Sequence, residues 1–182
     1  MALQLTRHRF TVAEYYRMAA VGILHEDAQV ELIEGQVVDM PRMCGPRIRA
    51  LNRLGMLFTC ELDDAITQIR SPIRLDDYTQ PVPDLALLRA ETDDYPAAPS
   101  DVLAVIEVAD TTLLYDQDVK VPLYARAGIP EAWIVDLNCP AVLVHRDPSP
   151  DGYCTVFTVQ GDQPIAPLTF PDFTLTTRQM LG

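Results

Sequence analysis

A glutamate, Glu107, stands inside the apolar run Val102-Leu103-Ala104-Val105-Ile106-Glu107-Val108, which reads as a near-continuous buried strand. An ionised carboxylate is expensive to bury in such a strand unless it is paired or bound to a metal, so Glu107 needs a partner. The chain carries thirteen arginines and a single lysine, Lys120, which follows Glu107 by thirteen residues. Together with Asp84 of Pro83-Asp84, these residues outline a two-carboxylate metal site served by one ammonium.

At 182 residues and 48% hydrophobic, the chain has enough apolar material for one ordinary domain, and one domain over residues 1–182 is expected. Its uncharged stretches fall short of the roughly 18 residues that cross a bilayer. The N-terminal sequence Met-Ala-Leu-Gln-Leu-Thr-Arg-His-Arg lacks the apolar centre of a signal peptide, so a cytoplasmic location is expected and no membrane association. Cys44, Cys60, Cys139 and Cys154 form no CxxC pair, and His8, His25 and His145 are too far apart for a local zinc motif. Free thiols in a reducing compartment are expected, with an intersubunit or intramolecular disulfide as the alternative.

The net charge of −12 argues against nucleic acid as a partner when taken as a sum. Its distribution argues differently. Residues 41–60 hold four arginines (Arg42, Arg47, Arg49 and Arg53) and no acid, whereas residues 61–101 hold ten acids against three arginines. One basic face on an acidic protein is compatible with this pattern.

The spacing of Val12, Tyr15, Tyr16 and Ala19 predicts a helix with Thr11 and Glu14 as a capping box and a stop near Gly22. Residues 30–40 read as a hairpin turning at Glu34-Gly35. Gly45-Pro46 opens a second helix with Ile48, Leu51, Leu54, Leu57 and Phe58 on the apolar face and the arginines facing outward. Strands are expected at residues 65–69, 84–88 and 102–108, with a Pro- and Asp-rich loop between the last two. A helix over residues 115–127 follows, with Lys120, Tyr124 and Ala127 on one face, Gly128 as its stop and Pro122 as an awkward interior residue. Two strands at residues 131–136 and 141–145, then a strand at 153–159 with an irregular Pro-rich extension, complete a mixed α/β chain with one sheet.

If the strands at 84–88 and 102–108 are antiparallel neighbours, the start of one lies beside the end of the other and Asp84 meets Glu107. Two converging carboxylates suit a hard cation such as Mg²⁺, which polarises phosphoryl oxygens and activates water. Lys120 on the next helix is then placed to orient water or offset charge on a phosphorane.

Several motifs stand in a recognisable order: Phe10-Thr11-Val12-Ala13-Glu14-Tyr15, Val30-Glu31-Leu32-Ile33-Glu34-Gly35, Pro83-Asp84-Leu85-Ala86, Ile106-Glu107-Val108, Tyr115-Asp116, Lys120-Val121-Pro122-Leu123-Tyr124-Ala125 and Gly128-Ile129-Pro130-Glu131-Ala132-Trp133-Ile134-Val135-Asp136. Over residues 9–147 the chain resembles the Uma-two family of restriction-endonuclease-like proteins (domain of unknown function 820), in the PD-(D/E)XK nuclease superfamily. The resemblance implies a restriction-endonuclease-like core with an N-terminal helix and β-hairpin, Mg²⁺ or Mn²⁺ as cofactor, and hydrolysis of DNA phosphodiester bonds. It makes Asp84 the aspartate of the PD element and Glu107 its acidic partner, both metal ligands and catalytic. The lysine position of that element is Ala109, and the resemblance implies that the lysine has moved to Lys120. A further acid is expected from the hairpin. Alternation lets only one of Glu31 and Glu34 share a given face, and Glu31 is preferred as a metal ligand. Many relatives carry a histidine after the Gly-Pro of the second helix, where this chain has Gly45-Pro46-Arg47-Ile48-Arg49.

Plainer readings compete. Asp84 is also a turn aspartate after proline, Glu107 an ion-pair member, and Lys120 an exposed helix lysine in an arginine-biased sequence. Arg47, Arg49 and Arg53 are either DNA contacts or a solvated helix face. Asp116 reads as an N-cap, and Tyr124 and Trp133 as core. The leading expectation is a metal-dependent endonuclease acting on DNA, working as a homodimer through apolar strands near the C-terminus. Its rival is a catalytically inactive DNA- or protein-interaction module that retains the nuclease fold. An RNA-directed nuclease has no visible RNA-binding motif behind it.

Overall fold

The structure is a computed structural model that describes residues 7–25 and 27–182. The signal-peptide reading rests largely on residues 1–6, which lie outside the described residues. A six-stranded mixed sheet in the order β3-β4-β5-β6-β7-β8 forms the centre. Its strands are β3 (Ala65–Ile69), β4 (Leu85–Arg89), β5 (Val102–Ala109), β6 (Glu131–Asp136), β7 (Ala141–Ser149) and β8 (Gly152–Gln160). Only β5 and β6 run parallel, which requires the helical crossover between them. All eight residues of β5 are buried, because helices cover both faces of the sheet.

Strand alternation sorts those faces. Leu85 and Leu87 of β4 pack with Ile106 and Val108 of β5 under α2 (Gly45–Glu61), together with Trp133, Leu54 and Phe58. Ala86 and Leu88 pack with Val105, Ala109, Val121 and Tyr124 on the opposite face. By the same parity, Asp84 and Glu107 belong to the second face, towards the crossover helix.

The N-terminal elements form as their sequence dictates. In α1 (Val12–Ala20) both halves of the capping box are present, with Glu14 N–H donating to Thr11 Oγ1 at 3.2 Å and Thr11 N–H to Glu14 Oε2 at 2.8 Å. The hairpin of β1 (Val30–Ile33) and β2 (Gln36–Asp39) turns through Glu34 (φ 49°) and Gly35 (φ 81°). Glycine is needed at 35 for a second reason, since a Cβ there would lie 2.6 Å from Arg9 Cβ. Leu32 exchanges backbone hydrogen bonds with Gln80, which docks the hairpin beside the segment leading into β4.

Three expectations change on contact with the structure. The buried stripe of α2 begins at Arg47, not Ile48: residues 47, 50, 51, 54 and 58 are buried at helical spacing, Arg47 is 4% exposed and Ile48 43%. Arg47 therefore does not share the outward face that it was expected to occupy with Arg49 and Arg53, both of which are exposed. The crossover starts earlier than residue 115 and is not a uniform helix. It consists of α3 (Leu113–Tyr115), a π-turn (Asp116–Lys120) and α4 (Val121–Arg126). Pro122 explains the break: it has no N–H for the carbonyl four residues back, and Val121 N–H reaches Asp116 O instead. The C-terminal extension, expected to be irregular, contains β9 (Pro164–Ile165) paired with β10 (Leu175–Thr176) and a helix, α5 (Thr177–Leu181), started by a Thr176/Gln179 capping box.

No helix among the described residues is long and apolar enough to cross a membrane. All four cysteines are free thiols.

Phe58 joins α2 to the sheet and to the C-terminal extension, with ring centroids 6.2 Å from Trp133 and 5.7 Å from Phe173. Phe58→Ala is expected to cost about 3–5 kcal/mol in urea unfolding. A loss below about 1 kcal/mol would mean that this face of the sheet does not depend on α2 packing.

Candidate active site

The antiparallel register of β4 and β5 brings the start of the first beside the end of the second, with Leu85 opposite Ile106. Asp84 and Glu107 consequently meet: Asp84 N–H lies 3.3 Å from Glu107 Oε2, and Val108 N–H donates to Asp84 Oδ2 at 2.8 Å. Both carboxylates are buried.

The crossover segment covers them. Lys120 Nζ lies 2.7 Å from Glu107 Oε1 and 3.6 Å from Glu31 Oε2, and donates to Val82 O at 3.2 Å. It is buried, not the exposed helix lysine of the plainer reading. One turn on, Tyr124 donates its hydroxyl to Glu107 Oε1 at 2.6 Å. Tyr124 is thus both core and a fixed partner of Glu107. The hairpin delivers Glu31, held by Val82 N–H at 2.9 Å and by the Tyr115 hydroxyl at 2.9 Å. Glu34 lies in the turn, exposed, and pairs with Arg126 at 2.8 Å outside the cluster.

Two participants had a different sequence reading. Arg47 donates Nη2 to Asp84 Oδ2 at 2.8 Å, so its guanidinium belongs to the carboxylate cluster. Asp116 is not an N-cap: it lies within the π-turn, buried, and accepts from Thr112 Oγ1 at 2.7 Å. Arg70 stands at the rim with Nη1 3.7 Å from Asp84 Oδ1. Arg49 and Arg53 enter no ion pair among the described residues.

Glu31, Asp84, Glu107 and Asp116 are four buried acids against two buried cations, Arg47 and Lys120. Burial pushes the Glu107 carboxyl up to about 8, Lys120 opposing and Asp116 and Asp84 adding to the rise. Burial likewise raises Asp116 to about 6 against the pull of Lys120 and the Thr112 hydrogen bond. For Lys120, burial disfavours the ammonium, but Glu107, Glu31 and Asp116 outweigh it and raise its pKa above the usual lysine value. Burial therefore makes the cluster retain protons, and two cations against four acids do not reverse it.

Asp84 Oδ1 adds a second sign of the same deficit, being buried without a hydrogen-bond partner. Hard oxygen donors, excess negative charge and one open carboxylate oxygen fit a divalent cation of the Mg²⁺ or Mn²⁺ type. Among the described residues no group of three or more His, Cys, Asp or Glu side chains is gathered closely enough to hold an ion alone. The fit is to an ion held by one or two carboxylates and completed by water and substrate oxygens.

Two outcomes follow. Glu107 binds its proton more tightly folded, at about 8, than at its ordinary 4.5, so its contribution to stability is full below about pH 4.5 and is lost as pH rises through about 8. Without divalent cations, the urea midpoint should fall across that window more steeply in the wild type than in Glu107→Gln, and parallel profiles would sink the assignment. Arg47→Met leaves Asp84 buried without its cation and is expected to cost about 3–5 kcal/mol in unfolding free energy. An unchanged midpoint would show that Asp84 does not rely on Arg47.

Comparison with known proteins adds the family. The Uma2 family model, described as "Putative restriction endonuclease", matches residues 12–178. A search of curated proteins found no match. Among solved structures, the fold is similar to the crystal structure of "a putative nuclease belonging to DUF820 from Anabaena variabilis", with a TM-score of 0.72 at 15% identity, covering 94% of this chain and 97% of that one. The resemblance noted in the motifs and the mixed α/β sheet agree with both findings, and the family match takes in α1, the hairpin, Asp84, Glu107 and Lys120 alike: the chain belongs to the Uma2 family.

Proposed function

We propose that the chain is a one-domain, cytoplasmic, divalent-metal-dependent endonuclease that hydrolyses DNA phosphodiester bonds through a PD-(D/E)XK arrangement whose lysine has moved to the following helix. The observation that carries the proposal is the meeting of Asp84 and Glu107 at one point of the sheet, with Lys120 2.7 Å from Glu107 and Asp84 Oδ1 without a hydrogen bond.

In this reading Asp84 and Glu107 would hold Mg²⁺ or Mn²⁺, with Glu31 assisting. When bound, the ion polarises a phosphoryl oxygen and lowers the pKa of its water. Tyr124 fixes Glu107 through the 2.6 Å hydrogen bond. Lys120 has a raised pKa, so it serves as a charged donor that orients the attacking water and offsets charge on the phosphoryl group, not as a base. Arg49 and Arg53, exposed on α2, are the arginines available to the phosphate backbone. Two copies would cut both strands of a duplex, and the edge strand β8, with Val156 57% and Phe157 38% exposed, is the apolar C-terminal strand available for pairing.

One observation favours a second reading. Arg47 and Lys120 already neutralise Asp84 and Glu107, as would suit a nuclease fold kept as a DNA- or protein-interaction module without turnover. Plasmid nicking and linearisation with Mg²⁺ and Mn²⁺ separates the two. Wild-type cutting that requires metal, vanishes in Asp84→Ala and falls about 100- to 1000-fold in Lys120→Ala supports the nuclease. Absence of cutting by a folded wild type, on every DNA form tested, would turn the assignment to the binding module.

A further inference from the structure

A groove of about 450 Å³ adjoins the carboxylate cluster, lined among others by Tyr15, Tyr16, Gln29, Arg70, Gln80 and Tyr95. Two of its lining residues reach the cluster directly. Val82 donates its N–H to Glu31 Oε2 at 2.9 Å and accepts from Lys120 Nζ at 3.2 Å, and Arg70 Nη1 lies 3.7 Å from Asp84 Oδ1. The groove therefore runs up to the residues that the nuclease reading assigns to the scissile phosphate.

Its chemistry differs from the chain's average. The net charge is −12, yet among the described residues the lining contains no carboxylate and one arginine. A polyanion approaching the cluster along this wall meets an arginine and no lining carboxylate. Arg70 is held in place by Gln29 Oε1 at 2.7 Å. Tyr95 is 69% exposed and Tyr16 44%, leaving aromatic surface open to a ligand. Tyr16 is also preset, because the buried Gln80 donates Nε2 to its hydroxyl at 2.9 Å, while Gln80 Oε1 has no partner. Aromatic surface beside a phosphate-binding cation is how proteins take up unpaired nucleotides, since each base offers a π-face and a stacked base pair does not.

We propose that this groove binds an unpaired nucleotide of the substrate strand next to the cleavage point, its base against Tyr95 and Tyr16 and its phosphate towards Arg70. The proposal rests on the nuclease reading for its substrate and makes a single-stranded or frayed DNA segment the preferred ligand over closed duplex.

Binding tests it apart from cleavage. Fluorescence anisotropy of a labelled oligothymidylate and of a closed hairpin duplex would be measured in EDTA and in Ca²⁺, with wild type, Tyr95→Ala, Tyr16→Ala and Tyr95→Phe. The alanine variants should weaken oligothymidylate binding about 5- to 100-fold, as loss of one stacking contact does. Tyr95→Phe should restore it and duplex binding should change less than about 2-fold, because the duplex offers no free base face. Equal losses on both DNAs, unchanged oligothymidylate binding, or no oligothymidylate binding by wild type would each overturn the groove assignment. A wild type that binds oligothymidylate through Tyr95 but cuts nothing would instead remove the nuclease reading and leave the groove, and metal-dependent cutting with Tyr95 irrelevant would do the reverse.

Discussion

Neutralising two buried carboxylates is the constraint on which the remaining architecture depends. Asp84 and Glu107 lie buried where the start of β4 meets the end of β5, where an unpaired charge is not sustainable. Their cations arrive from opposite directions: Arg47 from the first turn of α2 and Lys120 from the crossover between β5 and β6. Neither helix can be moved without leaving a carboxylate bare. The hairpin is tied into the same cluster, because Glu31 binds Val82 N–H and Tyr115 and stands near Lys120. Three separate chain segments are thus locked to the sheet by charge as well as by apolar contact.

The cluster remains undersupplied with positive charge despite those pairings. Four acids face two buried cations, Glu107 and Asp116 hold their protons well above the usual range, and Asp84 Oδ1 accepts no hydrogen bond, with Arg70 only as near as 3.7 Å. A structural ion-pair network optimised for stability would close such gaps with hydrogen bonds or exchange the charges for apolar side chains. Leaving them open is a cost to the fold, and costs of this kind gather where a protein must accept something from outside.

Much of this was legible in the sequence, and what was not has identifiable causes. The meeting of Asp84 and Glu107 followed from two apolar runs being antiparallel, a relation that alternation and a loop of ordinary composition make readable. The hairpin and the first capping box were equally local and equally clear. Arg47 was not, because a charged residue was assigned to the outer face by its type, although its spacing to Leu51, Leu54 and Phe58 fits the buried stripe better than that of Ile48. Only the tertiary partner, Asp84, reverses the preference. Tyr124 was read as volume and is also a hydrogen-bond donor, which no periodicity can distinguish. The short helix α5 did carry a signal, the Thr176/Gln179 capping box, masked by the proline-rich stretch before it.

Asp116 and Lys120 illustrate how one backbone irregularity organises the site. One wider turn takes out about one residue's rotation, roughly 100°, whereas over the step from Tyr115 to Tyr124 a regular α-helix would turn about 900°, which puts the two on opposite faces. Tyr115, which binds Glu31, and Tyr124, which binds Glu107, could not then both face the cluster with Lys120 between them. The π-turn takes that rotation out, and Pro122 enforces it by withholding an N–H from the regular ladder. The residue that looked least suited to a helix is therefore the one that sets the register of the side chains it turns towards the carboxylates. Replacing it with a better helix former would strengthen the helix locally while weakening the alignment of Tyr115, Lys120 and Tyr124 on the carboxylates.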